Sequence, residues 1–124
     1  MFCGARADPE KTVSEEGMNV RTEITVEQLK TRLDRGDDIL LLDVREPYEY
    51  EIVNIGAYLV PLSELPGRLE ELDSSKEIVV HCKSGHRSAT AASFLRKSGF
   101  SGVKNLIGGI DAWVERIDPS LPKY

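Results

Sequence analysis

Two periods of apolar spacing alternate along this chain. Val26, Leu29 and Leu33 recur at helical spacing. Thr25-Val26-Glu27-Gln28 has the form of a capping box, in which the two ends of the first turn satisfy each other's free backbone N–H groups, and Gly36 marks a stop. Ile39-Leu40-Leu41-Leu42 is a continuous apolar run, the pattern of a strand buried on both faces. Pro47 suits the first turn of a short helix through Tyr50. Tyr58-Leu59-Val60 reads as a strand closed by Pro61. Leu62, Leu65, Leu69 and Leu72 then return to helical spacing, with Pro66 and Gly67 weakening the start. Glu77-Ile78-Val79-Val80-His81 is the clearest strand, and Arg87 to Lys97 the clearest helix. A short strand over Val103-Lys104-Asn105-Leu106 follows, and Gly108-Gly109 leads into a last helix, Ile110 to about Ile117.

This order predicts an α/β fold, a central parallel sheet with helices on both faces. In such sheets the functional site gathers at the carboxyl ends of the strands, where Asp43-Val44-Arg45 and Cys82 stand. Residues 1–21 are polar and carry no apolar period, so they read as a flexible linker or tail ahead of one domain over 22–124.

Composition narrows the class. The 124 residues suffice for one domain with its own core. A net charge of -5 argues against general nucleic-acid binding, which needs cations to neutralise phosphates. No apolar run reaches membrane-spanning length, and no signal-peptide core follows Met1, so a cytoplasmic protein is expected. The two cysteines, Cys3 and Cys82, read as reduced, independent thiols. Cys3 is either a resolving thiol for Cys82 or, the better reading, an incidental thiol in the linker. Cysteine and histidine spacing shows no metal site, and no phosphate loop or dinucleotide fingerprint is present, so no cofactor is expected.

The chemistry concentrates in Cys82-Lys83-Ser84-Gly85-His86-Arg87-Ser88, which joins the best strand to the best helix. Gly85 permits positive φ, so the loop can turn its N–H groups inward as an anion-binding nest. The following helix adds unpaired N–H groups and the positive end of its dipole. Lys83, His86 and Arg87 add cationic charge. Each influence favours a thiolate, which makes Cys82 a candidate nucleophile. The plainer reading, a small apolar side chain ending a strand, fits a lone cysteine better than one in this company. Lys83 and His86 are candidates for substrate steering or ordinary solvated charge. Arg87 is unfavourable for the dipole in a first turn, which points to substrate binding or bracing. Ser84 and Ser88 can donate to a sulfur anion, although Ser88 fits a helix start slightly better. Asp43 is expected to support the loop by pairing with Arg45 or with loop amides.

Three segments together carry a family resemblance: Asp43-Val44-Arg45-Glu46 with Tyr48-Glu49-Tyr50, then Cys82 to Ser88, then Gly108-Gly109-Ile110 with Ala112-Trp113. They resemble, in order, the Asp-Val-Arg motif, active-site loop and late Gly-Gly motif of rhodaneses. The resemblance implies a rhodanese-like sheet of about five strands and a sulfurtransferase that carries sulfur on Cys82 as a persulfide. It implies that the backbone from Lys83 to Ser88 cradles the outer sulfur, with Asp43 and Arg45 bracing the loop. The sequence departs from the family at Val53-Asn54-Ile55-Gly56-Ala57, where Asn54 stands at the usual His with one residue fewer. Leu62-Ser63-Glu64-Leu65-Pro66 and the ending Ile117 to Tyr124 resemble the C-terminal rhodanese domain of adenylyltransferase–sulfurtransferase fusions, and Phe2-Cys3-Gly4 resembles the join between their domains. That implies a fused or cognate adenylyltransferase, and a ubiquitin-like sulfur carrier as acceptor. The donor is left open among thiosulfate, a cysteine desulfurase persulfide and mercaptopyruvate, the last being the poorest fit. Two other functions compete. Cys-dependent phosphatases and arsenate reductases commonly place five residues between Cys and Arg, where four intervene here. A non-catalytic binding module would not need the cysteine.

Overall fold

The computed structural model describes residues 22–124. The expected linker over 1–21, with Cys3, lies outside the described residues. Five strands form one wholly parallel sheet in the order β1-β5-β4-β2-β3: β1 (Glu23–Ile24), β2 (Ile39–Asp43), β3 (Tyr58–Leu59), β4 (Glu77–His81) and β5 (Val103–Leu106). Helices α1 (Val26–Asp34), α2 (Pro47–Ile52) and α3 (His86–Lys97) lie between strands, and α4 (Gly109–Arg116) follows β5. The α/β sheet expected from the alternating elements is present. β1, two residues long, is too short for a period to register in the sequence.

The Thr25 capping box forms: Gln28 N–H donates to the Thr25 hydroxyl oxygen, and Thr25 N–H donates to the Gln28 side chain. Leu62 to Leu72 departs from the helical expectation. It folds as two 3-10 turns, Leu62–Gly67 and Leu69–Glu71, with Pro66 inside the first. Proline lacks the N–H that an α-helix needs, and its ring opposes the preceding turn. The leucine spacing reports burial rather than α geometry: Leu65 and Leu72 are buried, and Leu62 and Leu69 pack against the same core.

Strand pleating sends alternate side chains to opposite faces. Leu40, Leu42, Ile78 and Val80 join Ala91, Ala92 and Leu95 of α3 on one side. Ile39, Leu41 and Val79 join Leu29 of α1 and Trp113 of α4 on the other. The central strands are therefore covered on both faces, which is why they read as unbroken apolar runs.

The carboxyl ends of β2 and β4 lie side by side, with Asp43 opposite His81. Arg45, just past β2, is fully buried. Its guanidinium donates to both Asp43 carboxylate oxygens, to the carbonyls of Glu49 and Val53, and to the Tyr124 hydroxyl. All of its N–H groups are thereby used, which a buried cation requires to offset lost hydration. This one side chain ties the end of β2 to α2, to Val53 just past it, and to the C-terminal segment.

Replacing Arg45 with Met should strand the Asp43 carboxylate without a counter-charge. The expected cost is about 3–5 kcal/mol of folding stability, read from urea unfolding of the variant against the parent chain.

Candidate active site

Cys82 follows β4 directly, and α3 begins at His86, leaving a very short loop between them. Gly85 sits at φ +120, a conformation that side chains disfavour, and turns the chain into the helix. The Cys82 side chain is 1% exposed and forms the floor of the site. Gly85 N–H donates to Sγ at 3.1 Å and Ser88 N–H at 3.4 Å. The Ser88 hydroxyl lies 3.3 Å from the same sulfur. Burial raises the thiol pKa, but hydrogen bonds from the Ser88 hydroxyl and from the amides of Ser88, Gly85 and Ser84 outweigh it, and the net shift is downward.

Two carbonyls of the loop are held from outside it. Ile110 N–H donates to the Cys82 carbonyl at 2.9 Å, and Asp111 N–H donates to the Lys83 carbonyl at 3.0 Å. The first turn of α4 thus caps the cysteine loop with two of its free N–H groups. This approach demands glycine. Gly109 has φ +59, and a Cβ there would lie 2.6 Å from the Cys82 carbonyl oxygen and 2.5 Å from that of Lys83.

The Arg87 and Lys83 cations of the loop are both committed to partners. Arg87 makes a bidentate pair with the buried Glu49 at 2.7 and 2.9 Å. Lys83 bonds Asp111 and the Tyr124 carbonyl, and its ammonium lies 4.5 Å from the centroid of the Tyr124 ring. The Ser84 hydroxyl and His86 Nδ1 approach at 3.4 Å, on the exposed outer side of the loop. The positive charge read from the sequence is therefore mostly balanced, and neutral backbone donors do much of the work at the sulfur. Ser88 sits in the first turn of α3 but does not cap it. Its hydroxyl points to Cys82 and to Asn105.

His81 is buried behind the loop, with Nδ1 3.3 Å from the Cys82 carbonyl and Nε2 3.6 Å from Asp43. Burial lowers its pKa, and the Asp43 charge opposes that shift. Asn54, at the position of the family His, bonds only its own turn, to the Tyr50 carbonyl and the Gly56 N–H.

Glu49, Asn105, Asp111 and Tyr124 surround the loop and were given no role by sequence reasoning. Asn105 left a trace, as a polar residue between Lys104 and Leu106 in a short strand. Glu49 left one too, three residues after Glu46, whose N–H its carboxylate accepts. Asp111 and Tyr124 arrive from distant chain segments and left none. Tyr124 links two of the site's buried charges, its hydroxyl accepting from Arg45 and donating to Glu49. Burial pushes its phenol up to about 12, the Arg45 charge opposing.

Comparison with known proteins decides the family. The model of the rhodanese-like domain matches residues 25–116. This chain is a rhodanese-like domain. It is 37% identical over 126 residues to the probable adenylyltransferase/sulfurtransferase MoeZ of Mycobacterium tuberculosis, covering 99% of this chain and 31% of MoeZ. The chain thus spans about a third of that relative's length. It is 39% identical over 92 residues to a sulfurtransferase of Allochromatium vinosum, covering 73% of this chain and 86% of that protein. The crystal structure of a rhodanese-related protein from Thermoplasma volcanium superposes with a TM-score of 0.71 at 32% identity, over 77% of this chain and 93% of that one. Among the described residues no helix is long and apolar enough to cross a membrane, and no cluster of three or more acidic, His or Cys side chains could hold a metal.

Two outcomes are expected. Gly109→Ala should cost at least roughly 1–2 kcal/mol from its backbone conformation alone and displace the Cys82 loop, read as a lower thermal midpoint together with slower alkylation of Cys82. The Arg87 pair and its hydrogen bonds hold the Glu49 carboxyl at about 2, below its ordinary 4.5. A depressed carboxylate contributes stability that is fully present above the unfolded-state value and lost as pH falls from there through the folded one. Glu49→Gln should therefore lower stability at neutral pH and flatten its loss between about pH 4.5 and 2, measured by urea unfolding across that range.

Proposed function

We propose that this domain is a sulfurtransferase in which Cys82 accepts a sulfane sulfur and passes it on. The observation that carries this reading is the sulfur of Cys82, buried at the carboxyl end of β4 with two backbone N–H groups and a hydroxyl aimed at it. The Cys82 thiolate attacks the outer sulfur of a donor, forming a new S–S bond. The donor's own bond to that sulfur breaks, and its electron pair leaves with the donor as sulfite from thiosulfate or as a thiolate from a protein persulfide. A nucleophile then attacks the outer sulfur of the Cys82 persulfide, and the bonding pair returns to Cys82 as thiolate.

The amides from Lys83 to Ser88 bind the outer sulfur, and Asp43 and Arg45 support the loop. With Cys82 1% exposed, the site suits one sulfur atom delivered end-on better than a tetrahedral oxyanion. The arginine that would clasp a phosphoryl group, Arg87, is held by Glu49, which argues against a phosphatase. Charge balance around the loop favours a cysteine desulfurase persulfide over dianionic thiosulfate as donor. The likeness to MoeZ supports a fused or cognate adenylyltransferase. The acceptor is then a ubiquitin-like sulfur carrier activated at its C-terminus. A reactive thiol suits a reducing compartment, and we place the protein in the cytoplasm.

The test is intact mass. The reduced chain should gain one sulfur atom from a desulfurase persulfide, and more slowly from thiosulfate, and lose it to cyanide as thiocyanate. Cys82→Ala should gain none. No adduct from either donor, or an adduct of the same size in Cys82→Ala, overturns the assignment.

A further inference from the structure

Ser88 faces two acceptors with one proton. Its hydroxyl oxygen is 2.6 Å from Asn105 Oδ1, a short hydrogen bond in which Ser88 O–H donates to the amide oxygen. The same oxygen is 3.3 Å from Cys82 Sγ. The Asn105 amide is not free to reverse: its Nδ2 donates to the Gly85 carbonyl, and the opposite orientation would set two carbonyl oxygens against each other. A hydroxyl carries one proton and two lone pairs. While its proton serves Asn105, Ser88 can only accept from the sulfur, which suits a protonated Cys82. A thiolate has no proton to give and needs the Ser88 proton itself.

We propose that Asn105 is a positioning residue for the Cys82 nucleophile, acting through Ser88: it holds the hydroxyl proton while Cys82 is a thiol and yields it when Cys82 becomes a thiolate. No covalent bond changes at Ser88; its O–H rotates from one acceptor to the other, and the thiol proton leaves to solvent. Forming the thiolate then costs the Ser88–Asn105 bond and leaves the Asn105 carbonyl buried without that donor. Asn105 thus restrains the thiolate against the amides that favour it. The restraint has a chemical use, since a thiolate of very low pKa is a weaker nucleophile toward sulfur, and the best attacking thiol has a pKa near ambient pH.

This role rests on Cys82 being the nucleophile, but its test does not depend on sulfur transfer. The rate of Cys82 alkylation by iodoacetamide is followed against pH in the full chain, by mass of the peptide carrying Cys82, so that Cys3 does not interfere. Asn105→Leu removes the acceptor at similar volume and should lower the midpoint by about half to one pH unit. Asn105→Ala should move it the same way, and serves if the leucine variant does not fold. Ser88→Ala removes the switchable donor and should raise the midpoint. The Ser88→Ala/Asn105→Leu double variant should match Ser88→Ala alone.

The charged and titratable groups around the sulfur are the same in all four variants. They are Arg87 paired with Glu49, Lys83 paired with Asp111, His86, His81, Asp43 paired with Arg45, and the Tyr124 phenol. A midpoint that rises or stays fixed in both Asn105 variants overturns the proposal. So does an Asn105→Leu shift that persists without Ser88, because that would assign the effect to the Gly85 carbonyl bond. If the titrations agree with expectation while no sulfur is ever transferred, the switch stands and the sulfurtransferase reading falls.

Discussion

The site depends on two backbone hydrogen bonds, from Ile110 and Asp111 at the start of α4 to the carbonyls of Cys82 and Lys83. A peptide unit is rigid, so fixing where its carbonyl points also fixes where the next N–H points. With the Lys83 carbonyl turned toward α4, the Ser84 amide that follows turns toward the sulfur, ahead of the Gly85 and Ser88 amides. The cysteine loop is in this sense shaped from outside, by a helix that follows it in the chain and packs on the opposite face of the sheet from α3. Gly109 allows the approach, since any side chain there would occupy the space of both carbonyl oxygens.

Around that loop, charge is arranged to cancel. Arg45 meets Asp43, Arg87 meets Glu49, and Lys83 meets Asp111. A buried sulfur would ordinarily hold its proton more tightly, since desolvation penalises the charged form. Hydrogen bonds at close range reverse this for Cys82. Balanced charge and directed dipoles suit the proposed role, in which a sulfur anion is held and then released, because an unbalanced cation would retain the anion as well as attract it.

Arg45 and Tyr124 give the same region its mechanical unity. Arg45 is fully enclosed and reaches three segments, while the Tyr124 hydroxyl bridges it to Glu49 and so to Arg87 in α3. Burying such a network is costly unless every donor is used, and here the Arg45 donors are. His81 Nε2 is the contrasting case among the described residues, a buried nitrogen with no hydrogen-bond partner beside Asp43.

The local signals were legible in the sequence. The strands β2 and β4, the helix α3, the Thr25 capping box and the cysteine between strand and helix all follow from neighbours within a few residues. The resemblance to rhodaneses rests on three such short segments, and the family model matches over 25–116. The sequence misled where burial and helical period coincide, in the leucines from Leu62 to Leu72, because Pro66 turns the same spacing into 3-10 geometry. Only the tertiary structure decided what each cation does. Arg87, Lys83 and Arg45 read alike as positive charge near a thiol, yet Glu49, Asp111 and Asp43 neutralise them, two of the three across long chain separations. Asn105 and Tyr124 belong to the site for the same reason. Short-range patterns fix which elements form, but a hydrogen bond between residues far apart in the chain exists only once the parallel sheet has brought its strand ends to one edge.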